Sequence, residues 1–295
     1  MLNNMPVHLA VMVDEVIQYL DPKPCGFFVD CTFGAGGHSK KILEKILPGG
    51  KVIGIDKDKE ILELAEKEFI NFKDNLILRH ADFRDLTQVL KELKIEKIDG
   101  LLFDLGVSSL QLDNPARGFS FNSDAPLDMR MDASGSEKSA YDLVNFLNKD
   151  ELGSIIFSLG EERYWRRIAH AIADYRKRKR IETTAELREI ILKAMPGGRG
   201  WQKIHPATRT FQALRIAVND ELAALEDALK SAVNILKPNG RICVISFHSM
   251  EDRIVKNIFR DLSKNGILKI LTKKPVCPSQ EEARVNPRSR SAKLR

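Results

Sequence analysis

The stretch Phe27-Phe28-Val29-Asp30-Cys31-Thr32-Phe33-Gly34-Ala35-Gly36-Gly37-His38 decides the fold. Its apolar start, ending at Asp30, predicts a buried strand, and the glycines predict a tight turn into a helix. Glycine lets the backbone of that turn curve sharply and approach a ligand without a side chain in the way. Asp56 ends the next predicted strand, where its carboxylate can accept both hydroxyls of a ribose. Together, turn and carboxylate indicate a nucleotide cofactor site.

Short apolar runs alternate with helical patterns on either side of this turn. Further strands are predicted at 51–56, 76–83, 100–104 and 241–247, with a weaker one at 268–271. Helices are predicted at 39–47, 59–69, 86–93, 220–236 and 250–262. Apolar strands separated by helices are typical of βαβ units in a parallel sheet. We therefore predict an α/β, Rossmann-like fold.

The regularity breaks between residues 112 and 209. A segment rich in Asp, Asn, Pro, Gly and Ser at 113–139 leads into helical patterns at 141–147, 150–159, 161–179 and 184–195, with no good strand among them. We therefore predict one sheet domain, formed by 1–111 and 210–295, that is interrupted by a mostly helical domain at 112–209.

The charge distribution indicates a polyanionic partner. The chain of 295 residues carries a net charge of +6, with five consecutive cations at Arg176-Lys177-Arg178-Lys179-Arg180 and an acid-free basic tail at 286–295. Such clusters are footprints for a polyanion, although a solvated helix face and a frayed terminus would look the same. Two clusters in one chain favour a nucleic acid, and we assign RNA recognition to the helical insert.

Cysteine usage and the N-terminus predict a cytoplasmic protein. The four cysteines, Cys25, Cys31, Cys243 and Cys277, are scattered without a C-x-x-C pair, so neither a metal site nor a disulfide framework is expected. The first residues show no basic segment followed by an apolar run, and no apolar stretch approaches the roughly 20 residues of a membrane span. We therefore expect no membrane partner.

Acidic residues end the first four predicted strands: Asp30, Asp56, Asp82 and Asp104. Each one alone could cap a helix or solvate a turn. Together, at one edge of a parallel sheet, they suit a cationic sulfonium amino acid better than a pyrophosphate. We therefore predict S-adenosylmethionine as the cofactor and a methyltransferase version of the Rossmann-like sheet. Asp30 is a candidate for its ammonium group, Asp82 for the adenine amine, and the Phe83 ring for packing on the base.

The loop that begins at Asp104 is the candidate site of methyl transfer. Transfer of a methyl group is an in-line displacement, so the protein mainly positions the acceptor and excludes water. Asp104, a loop carbonyl or the Ser108 hydroxyl could draw a proton from an acceptor amine. His248 follows the fifth strand, where a general base, an RNA contact and a structural histidine are three open readings.

The sequence identifies residues that could contact RNA less specifically than it identifies the cofactor site. Arg130, Arg209 and Arg215 are candidates, because a guanidinium grips a phosphate with two hydrogen bonds, although each could instead form a local salt bridge. Trp165 and Trp201 could stack on bases, but core packing is the stronger interpretation. His205 has no second metal ligand at suitable spacing, and no metal site is predicted.

Several long motifs carry a family resemblance. They are Phe33-Gly34-Ala35-Gly36-Gly37-His38-Ser39, Asp104-Leu105-Gly106-Val107-Ser108-Ser109-x-Gln111, Arg117-Gly118-Phe119-Ser120-Phe121, Pro126-Leu127-Asp128-Met129-Arg130-Met131, Thr208-Arg209-x-Phe211-Gln212-Ala213-Leu214-Arg215-Ile216-x-Val218-Asn219, Ser246-Phe247-His248-Ser249-x-Glu251-Asp252-Arg253 and the tail from Asn286 to Arg295. With them the chain resembles, over essentially its whole length, the bacterial 16S ribosomal RNA methyltransferase H family, also called MraW.

The resemblance implies methylation of the N4 amine of one cytidine in the decoding region of 16S ribosomal RNA, in the context of the small ribosomal subunit. It also implies cofactor contacts from seven residues: Gly36, Gly37, His38, Asp56, Phe83, Asp104 and Gln111. Many amino-methyltransferases that act on bases carry an Asp/Asn-Pro-Pro-aromatic loop after the fourth strand. This chain has Asp104-Leu105-Gly106-Val107 there, so amine activation cannot be copied from that class.

Two other functions compete with this one at the level of sequence. A nicotinamide-dependent oxidoreductase could use the same kind of sheet, although Ser39 stands where the third glycine of a dinucleotide turn belongs. A non-catalytic RNA-binding or assembly factor could keep only the fold. A homodimer stays open, because no interface is visible in the sequence.

Overall fold

The chain forms two units in a computed structural model that describes residues 9–135, 137–196 and 204–295. The sheet unit consists of Met1–Gly106 and Leu222–Arg295, and the helical unit of Val107–Glu221. The helical unit is thus wider than the 112–209 expected from the sequence. The reason is packing, because Val107 and the apolar side chains of the helix Thr208–Asn219 belong to the core of the helical unit.

The strands are β1 (Phe27–Asp30), β2 (Lys51–Asp56), β3 (Leu76–His80), β4 (Ile98–Asp104), β5 (Leu236–Ser246) and β6 (Lys293–Leu294). The helices are α1 (Val13–Leu20), α2 (Gly37–Ile46), α3 (Lys59–Glu68), α4 (Leu86–Glu92), α5 (Ser109–Asp113), α6 (Ala140–Phe146), α7 (Lys149–Gly160), α8 (Trp165–Tyr175), α9 (Thr184–Ala194), α10 (Thr208–Asn219), α11 (Glu221–Ala232), α12 (Ser249–Lys264) and α13 (Gln280–Val285). Helices α1, α5, α10 and α13 are absent from the sequence-based prediction. None of the helices in the described ranges has the length and apolar character needed to cross a bilayer.

The six strands form one sheet in the order β3-β2-β1-β4-β5-β6. The strands β1 to β5 run parallel, and only β6 is antiparallel to its neighbour. The strand order reverses between β1 and β4, because the chain first builds outward through β2 and β3 and then returns. In open α/β sheets ligands bind beyond the carboxyl ends of the strands at such a reversal. The structure confirms the predicted α/β, Rossmann-like fold.

Both faces of this sheet are covered by helices, which explains the continuous apolar runs of its strands. Successive strand residues alternate between two apolar clusters. Phe28 and Leu102 pack with residues of α1, α2 and α3, whereas Val29 and Leu101 pack with residues of α4, α11 and α12. Because both faces are buried, apolar content alone was enough to locate β1, β2 and β4 in the sequence.

The far edge of the sheet is closed by the tail rather than by the predicted strand at 268–271. That prediction was wrong: the described residues 268–271 form no strand, and Lys293–Leu294 pairs with Ile245 and Ser246 instead. Two tail cations are used there, since Arg295 Nε lies 2.7 Å from Asp252 Oδ1 and Lys293 Nζ 3.5 Å from Asp252 Oδ2. This half of the basic tail is therefore part of the sheet unit's structure.

The helical unit has its own apolar core, to which α6 to α10 all contribute buried side chains. Within it, the basic run 176–180 is largely occupied. Arg176 donates to the carbonyl oxygens of Val144 and Leu147, and Arg180 donates to that of Asn145, so the two arginines satisfy carbonyls at the end of α6. Lys177 and Lys179 pair with carboxylates. Four of the five cations in this run thus have partners within the helical unit.

Asn219 holds the end of α10 to the segment around Met129. Its amide nitrogen donates to the carbonyl oxygens of Met129 and Arg215, at 2.8 and 2.9 Å, and its oxygen accepts the Met131 N–H at 2.7 Å. The side chain is buried, and Met129 has a left-handed backbone with φ 63°. The amide thus satisfies backbone groups of a strained segment that regular structure does not serve.

Replacing this amide tests the arrangement. We expect Asn219→Ala to lower the free energy of unfolding by roughly 1–3 kcal/mol, because buried backbone groups lose their partners. Urea unfolding followed by circular dichroism measures the change. Asn122→Ala is the matched control, since the Asn122 side chain is exposed in the same unit. Equal midpoints for the two variants would contradict the role given to Asn219.

Candidate functional site

The candidate site lies at the carboxyl ends of β1, β2 and β4, next to the reversal of strand order. Backbone hydrogen bonds continue past the strand ends there: the Cys31 N–H donates to the Leu102 carbonyl, and the Phe33 N–H to the Ile55 carbonyl. The ends of the three strands are thereby kept in register. The residues that follow them form one continuous edge.

The glycine turn needs its glycines for two physical reasons. Gly34 and Gly36 have left-handed backbones, with φ 53° and 76°, which other residues adopt at a cost. A Cβ atom on Gly36 would also lie 2.5 Å from a ring carbon of Phe69. The turn is therefore closed to larger side chains, and α2 starts directly after it at Gly37.

Asp56 fastens this turn to the end of β2. One carboxylate oxygen accepts the Gly34 N–H at 2.7 Å and the other accepts the Asp58 N–H at 2.9 Å. Burial raises the pKa of Asp56 to about 6, although these two hydrogen bonds favour the charged form. Each oxygen retains a second lone pair, so the two backbone bonds leave acceptor capacity for a ligand's hydroxyls.

Asp30 is already engaged inside the sheet unit. Its carboxylate accepts a hydrogen bond from the Ser39 hydroxyl at 2.7 Å and one from the Thr32 N–H at 3.3 Å. The side chain is 1% exposed, and this burial raises its pKa. Ser39, which departs from the dinucleotide pattern, thus serves as the hydrogen-bond donor that a buried carboxylate requires. This pairing could not be predicted from the sequence, because the two residues are nine positions apart and meet only through the fold.

His38 connects the turn with the end of β4. Its Nε2 lies 2.8 Å from the carbonyl oxygen of Val11, and because a carbonyl can only accept, that nitrogen carries a proton. Its Nδ1 lies 3.6 Å from Asp104 Oδ2. The ring is buried, so the glycine turn and the fourth strand meet through this histidine.

Asp104 presents an unused acceptor at this edge. Its backbone N–H donates to the Thr32 hydroxyl at 2.6 Å, which fixes the end of β4 beside the turn. Its Oδ1 is buried, and among the described residues it has no hydrogen-bond partner. Burial raises the pKa of Asp104 to about 6, while the nearby His38 opposes the rise. A buried carboxylate oxygen without a donor fits a ligand that brings one, such as an ammonium group.

The third strand supplies an aromatic ring at the same edge. Phe83 is half-buried and packs edge-to-face on Phe103, with ring centroids 5.8 Å apart. Asp82 accepts the Arg84 N–H at 2.9 Å, and its other oxygen lies 3.3 Å from Lys57 Nζ. Phe83 is thus held in one orientation, whereas Asp82 is partly occupied by its own loop.

His248 acts as the N-cap of α12. Its Nδ1 accepts the Glu251 N–H at 3.4 Å, while Glu251 Oε2 accepts the N–H groups of Phe247 and His248 at 2.8 and 3.1 Å. This is the reciprocal arrangement of a capping box. Of the three interpretations of His248, the structure thus shows the structural one: the residue caps α12. Glu251 belongs to one of the family motifs, but its capping role is not part of the sequence-based prediction, although its spacing from residue 248 is that of a capping box.

Ser108 and Gln111 belong to the helical unit, where they form another capping box. The Ser108 hydroxyl accepts the Gln111 N–H at 3.2 Å, and Gln111 Oε1 accepts the Ser108 N–H at 3.0 Å. Ser108 thus has a local structural role at the start of α5. Its catalytic role, and the cofactor contact of Gln111, stay predictions.

The three candidate arginines are engaged within the helical unit. Arg130 binds Asp128 through two hydrogen bonds of 2.9 Å, and Arg215 binds Glu221 through two of 2.8 Å. Arg209 donates to the carbonyl oxygen of Glu161 at 3.1 Å. The salt-bridge alternative therefore describes Arg130 and Arg215 in this structure, and contact with RNA stays a prediction for all three.

Two aromatic side chains of the helical unit have local partners. Trp165 packs on Phe157, with ring centroids 5.6 Å apart. His205 stacks on Phe121 at 4.6 Å. Trp165 is also half-buried against the core of the helical unit, so core packing is the role that the structure shows for it. Trp201 lies outside the described residues.

Comparison with known proteins identifies the family. The family model described as "MraW methylase family" matches residues 5–295. This chain belongs to the MraW methylase family. The match confirms the resemblance carried by the sequence motifs, including those of the helical unit.

Curated relatives extend the comparison. A protein from Brevibacillus brevis named "Ribosomal RNA small subunit methyltransferase H" is 46% identical, covering 98% of this chain and 96% of its own length. A protein of the same name from Geotalea uraniireducens is 50% identical, covering 98% and 97%. The crystal structure of an rRNA methylase from Streptococcus thermophilus aligns over 96% of this chain and 90% of its own, with a TM-score of 0.42 and 11% identity.

The raised pKa of Asp104 makes a testable prediction about stability. The folded state holds the proton more tightly than the unfolded chain, so stability falls as the pH rises from the ordinary value of 3.8 through about 6. We expect Asp104→Asn to raise the free energy of unfolding in neutral buffer, by up to about 3 kcal/mol, since one pKa unit corresponds to about 1.4 kcal/mol. The gain should shrink in acidic buffer.

Asp252→Asn is the matched control with the opposite sign. Burial alone would raise the pKa of Asp252, but Arg295 and Lys293 outweigh it and hold the pKa below its usual range. Its ionised form is stabilised in the folded state, so this variant should be less stable in neutral buffer. Urea unfolding of both variants at the two pH values gives the comparison. A loss of stability for Asp104→Asn in neutral buffer would contradict the assignment of an uncompensated buried charge.

Proposed function

We propose that this protein transfers a methyl group from S-adenosylmethionine to the N4 amine of a cytidine in the decoding region of 16S ribosomal RNA. The observation that carries the proposal is family membership across residues 5–295, together with relatives named as small-subunit rRNA methyltransferases. The cofactor and the RNA class follow from that membership and from the fold. The N4 position and the decoding region follow from the resemblance of the sequence motifs.

The edge of the sheet fits the proposed cofactor. The Asp104 oxygen without a partner suits the ammonium group, the Asp56 carboxylate suits the ribose hydroxyls, and the half-buried Phe83 ring suits the adenine. Gly36 and Gly37 let the turn pack tightly against Phe69 and Ala10, and within the described residues the first N–H groups of α2 receive no side-chain cap. His38 and Gln111 complete the proposed contacts.

This assignment shifts one role within the site. The sequence made Asp30 the candidate for the ammonium group, but its carboxylate already accepts from Ser39 and Thr32. Asp104 is the better partner, because its buried oxygen lacks a donor among the described residues. A cationic ligand would also relieve the cost of the buried charge, which the raised pKa of Asp104 expresses.

Chemistry at this edge depends mostly on positioning. Bound S-adenosylmethionine supplies an electrophilic methyl group, and the protein has to place the acceptor amine in line with it and exclude water. The lone pair of a cytosine amine is delocalised into its ring, so an acceptor for an amine proton helps the attack. Asp104 or a carbonyl of the Asp104–Val107 loop is the proposed acceptor, with Ser108 as a further candidate.

His248 is proposed to position rather than to transfer a proton. Its Nδ1 accepts the Glu251 N–H in the cap of α12, and its Nε2 lies 3.1 Å from Glu251 Oε1, so both ring nitrogens face the capping residue. The cap orients the turn that follows β5, at the same edge of the sheet as Asp104.

RNA binding is assigned to the helical unit, with Arg130, Arg209 and Arg215 as the proposed phosphate contacts. Arg130 and Arg215 would have to share their guanidinium groups with Asp128 and Glu221. A guanidinium has five N–H donors, so a carboxylate that takes two leaves donors for a phosphate. The proposed partner is 16S rRNA within the small ribosomal subunit, in the cytoplasm, and a homodimer stays open.

The direct test is methyl transfer to defined substrates. The protein is incubated with labelled S-adenosylmethionine and either naked 16S rRNA or small subunits from a strain that lacks the gene. Nucleoside mass spectrometry should then find N4-methylcytidine, mapped to one position of the decoding region. Methylation at another base or atom would refute the fine assignment, and calorimetric binding of a nicotinamide cofactor instead of S-adenosylmethionine would refute the reaction class.

Substitution of Asp56 tests the cofactor site. We expect Asp56→Ala to weaken the binding of S-adenosylmethionine by about 10- to 100-fold, because hydrogen bonds to charged groups contribute roughly 1.5–3 kcal/mol. Isothermal titration calorimetry measures the dissociation constant. Asp58→Ala is the control, since Asp58 caps the nearby α3 by accepting the N–H groups of Glu60 and Ile61. Equal weakening in both variants would assign the effect to local folding rather than to a ribose contact.

A further inference from the structure

A basic groove runs along the outer side of β5 in the sheet unit. It has a volume of about 1060 Å³ and is lined by β5, the second half of α12 and the loop that follows this helix. Eight lysines and arginines line it, and none of the described lining residues is acidic. A concave surface with one sign of charge focuses the field and attracts ions of the opposite sign.

The cations of this groove fall into two groups. The first group already has partners: Lys237 pairs with Asp99 at 2.8 Å, Arg241 with Asp21 at 3.1 Å, Arg295 with Asp252 at 2.7 Å and Arg260 with Asp261 at 3.8 Å, while Lys97 donates to the carbonyl oxygen of Asn234. The second group consists of Lys256, Lys269 and Lys273, which are exposed and have no acidic partner within the described parts of the chain. Their ammonium groups are therefore available to a ligand.

The backbone edge of β5 does not favour a peptide in this groove. Strand β6 pairs with Ile245 and Ser246, and Arg295 continues this pairing to Val244, so the part of β5 before Val244 has no strand on its outer side among the described residues. That part contains Lys237 and Pro238, and lysine and proline on an edge strand discourage the addition of another strand. The groove therefore offers not strand pairing but the charge of its lysines, beside the exposed apolar side chains of Ile267, Ile270 and Leu271.

We propose that this groove binds the phosphate backbone of the ribosomal RNA substrate, away from the nucleotide that is methylated. The inference rests on the proposed function, which supplies the RNA. Phosphates match the unpaired lysines, and contacts of this kind position a nucleic acid without reading its sequence. The groove is thus a second proposed RNA-binding surface, located in the sheet unit rather than in the helical unit.

The position of the groove defines what it contributes. Its strand residues, Leu236 to Cys243, form the first part of β5, whereas Asp104 and Asp56 end their strands at the carboxyl edge. Since β1 to β5 are parallel, the groove lies towards the opposite end of the sheet. It can therefore add affinity for a large folded RNA but cannot touch the reacting atoms.

The test neutralises the three unpaired lysines. We expect the triple variant K256Q/K269Q/K273Q to bind small subunits or 16S rRNA about 10- to 100-fold more weakly at moderate salt, with the slope of log Kd against log salt reduced by roughly 2 to 3, because each phosphate contact contributes about 0.7 to 0.9 to that slope. The KM for RNA should rise while kcat stays unchanged, since uniform binding is lost. Affinity for S-adenosylmethionine should not change.

The matched control is K45Q/K67Q/K91Q. These lysines are exposed in the last turns of α2, α3 and α4, outside the groove and in the same unit. Both triple variants lose the same charge, so a long-range effect would weaken RNA binding equally in the two. Equal affinities for the groove variant and the control would overturn the inference.

The outcomes separate this inference from the proposed function. If the parent protein methylates small-subunit RNA and only the groove variant loses affinity, both stand. If the parent protein methylates the RNA and the groove variant binds it as tightly as the control, the groove inference fails alone. If the parent neither binds nor methylates the RNA, the proposed function fails first. Circular dichroism of the variants verifies that each is folded.

Discussion

The Asp56 carboxylate holds the site together by accepting the backbone N–H of Gly34 at the end of the neighbouring strand. Through this bond the end of β2 determines where the glycine turn lies, and the turn in turn places His38 against Val11 and Asp104. The hydrogen bond stabilises the turn, but burial of the charged Asp56 carboxylate is unfavourable, and it raises the pKa of Asp56 to about 6. A site fastened in this way keeps its shape only while the charged groups retain their backbone donors.

Acidic and basic side chains have different roles in this molecule. Acidic groups gather at the carboxyl edge of the sheet, where Asp104 keeps an oxygen without a donor among the described residues. Many of the cations, by contrast, serve structure: Arg176 and Arg180 satisfy the end of α6, and Arg295 pairs with Asp252. Under the proposed function, the uncompensated acid is what recognises a cationic cofactor. The uncompensated Asp104 carboxylate lowers the stability of the free protein, and a bound cation would restore that stability.

The sequence was informative wherever local pattern and burial agree. β1, β2 and β4 are buried on both faces and therefore show as apolar runs, and the edge with Gly36, Asp56 and Asp104 follows from their order. β6 could not be predicted, because a strand of two residues is defined by pairing with β5 rather than by its composition. The roles of Arg130 and Arg215 were equally inaccessible, since a guanidinium that binds a carboxylate and one that binds a phosphate look alike in a sequence. For α10 the spacing of Phe211, Leu214 and Val218 is helical, and that spacing is sufficient to predict a helix there.

The discontinuous sheet has a consequence for how the protein is made. During synthesis β1 to β4 leave the ribosome first, the whole helical unit follows, and β5 comes only afterwards. Until then β4 lacks its neighbour on one side, and an apolar strand with an open edge is prone to pair with other chains. The helical unit can fold from its own contacts in the meantime. Once it is folded, the segment between β4 and β5 is no longer a long flexible loop, and the entropy cost of closing such a loop no longer opposes their pairing. The early half of the sheet therefore waits for its partner strand at least as long as the ribosome needs to synthesise the helical unit.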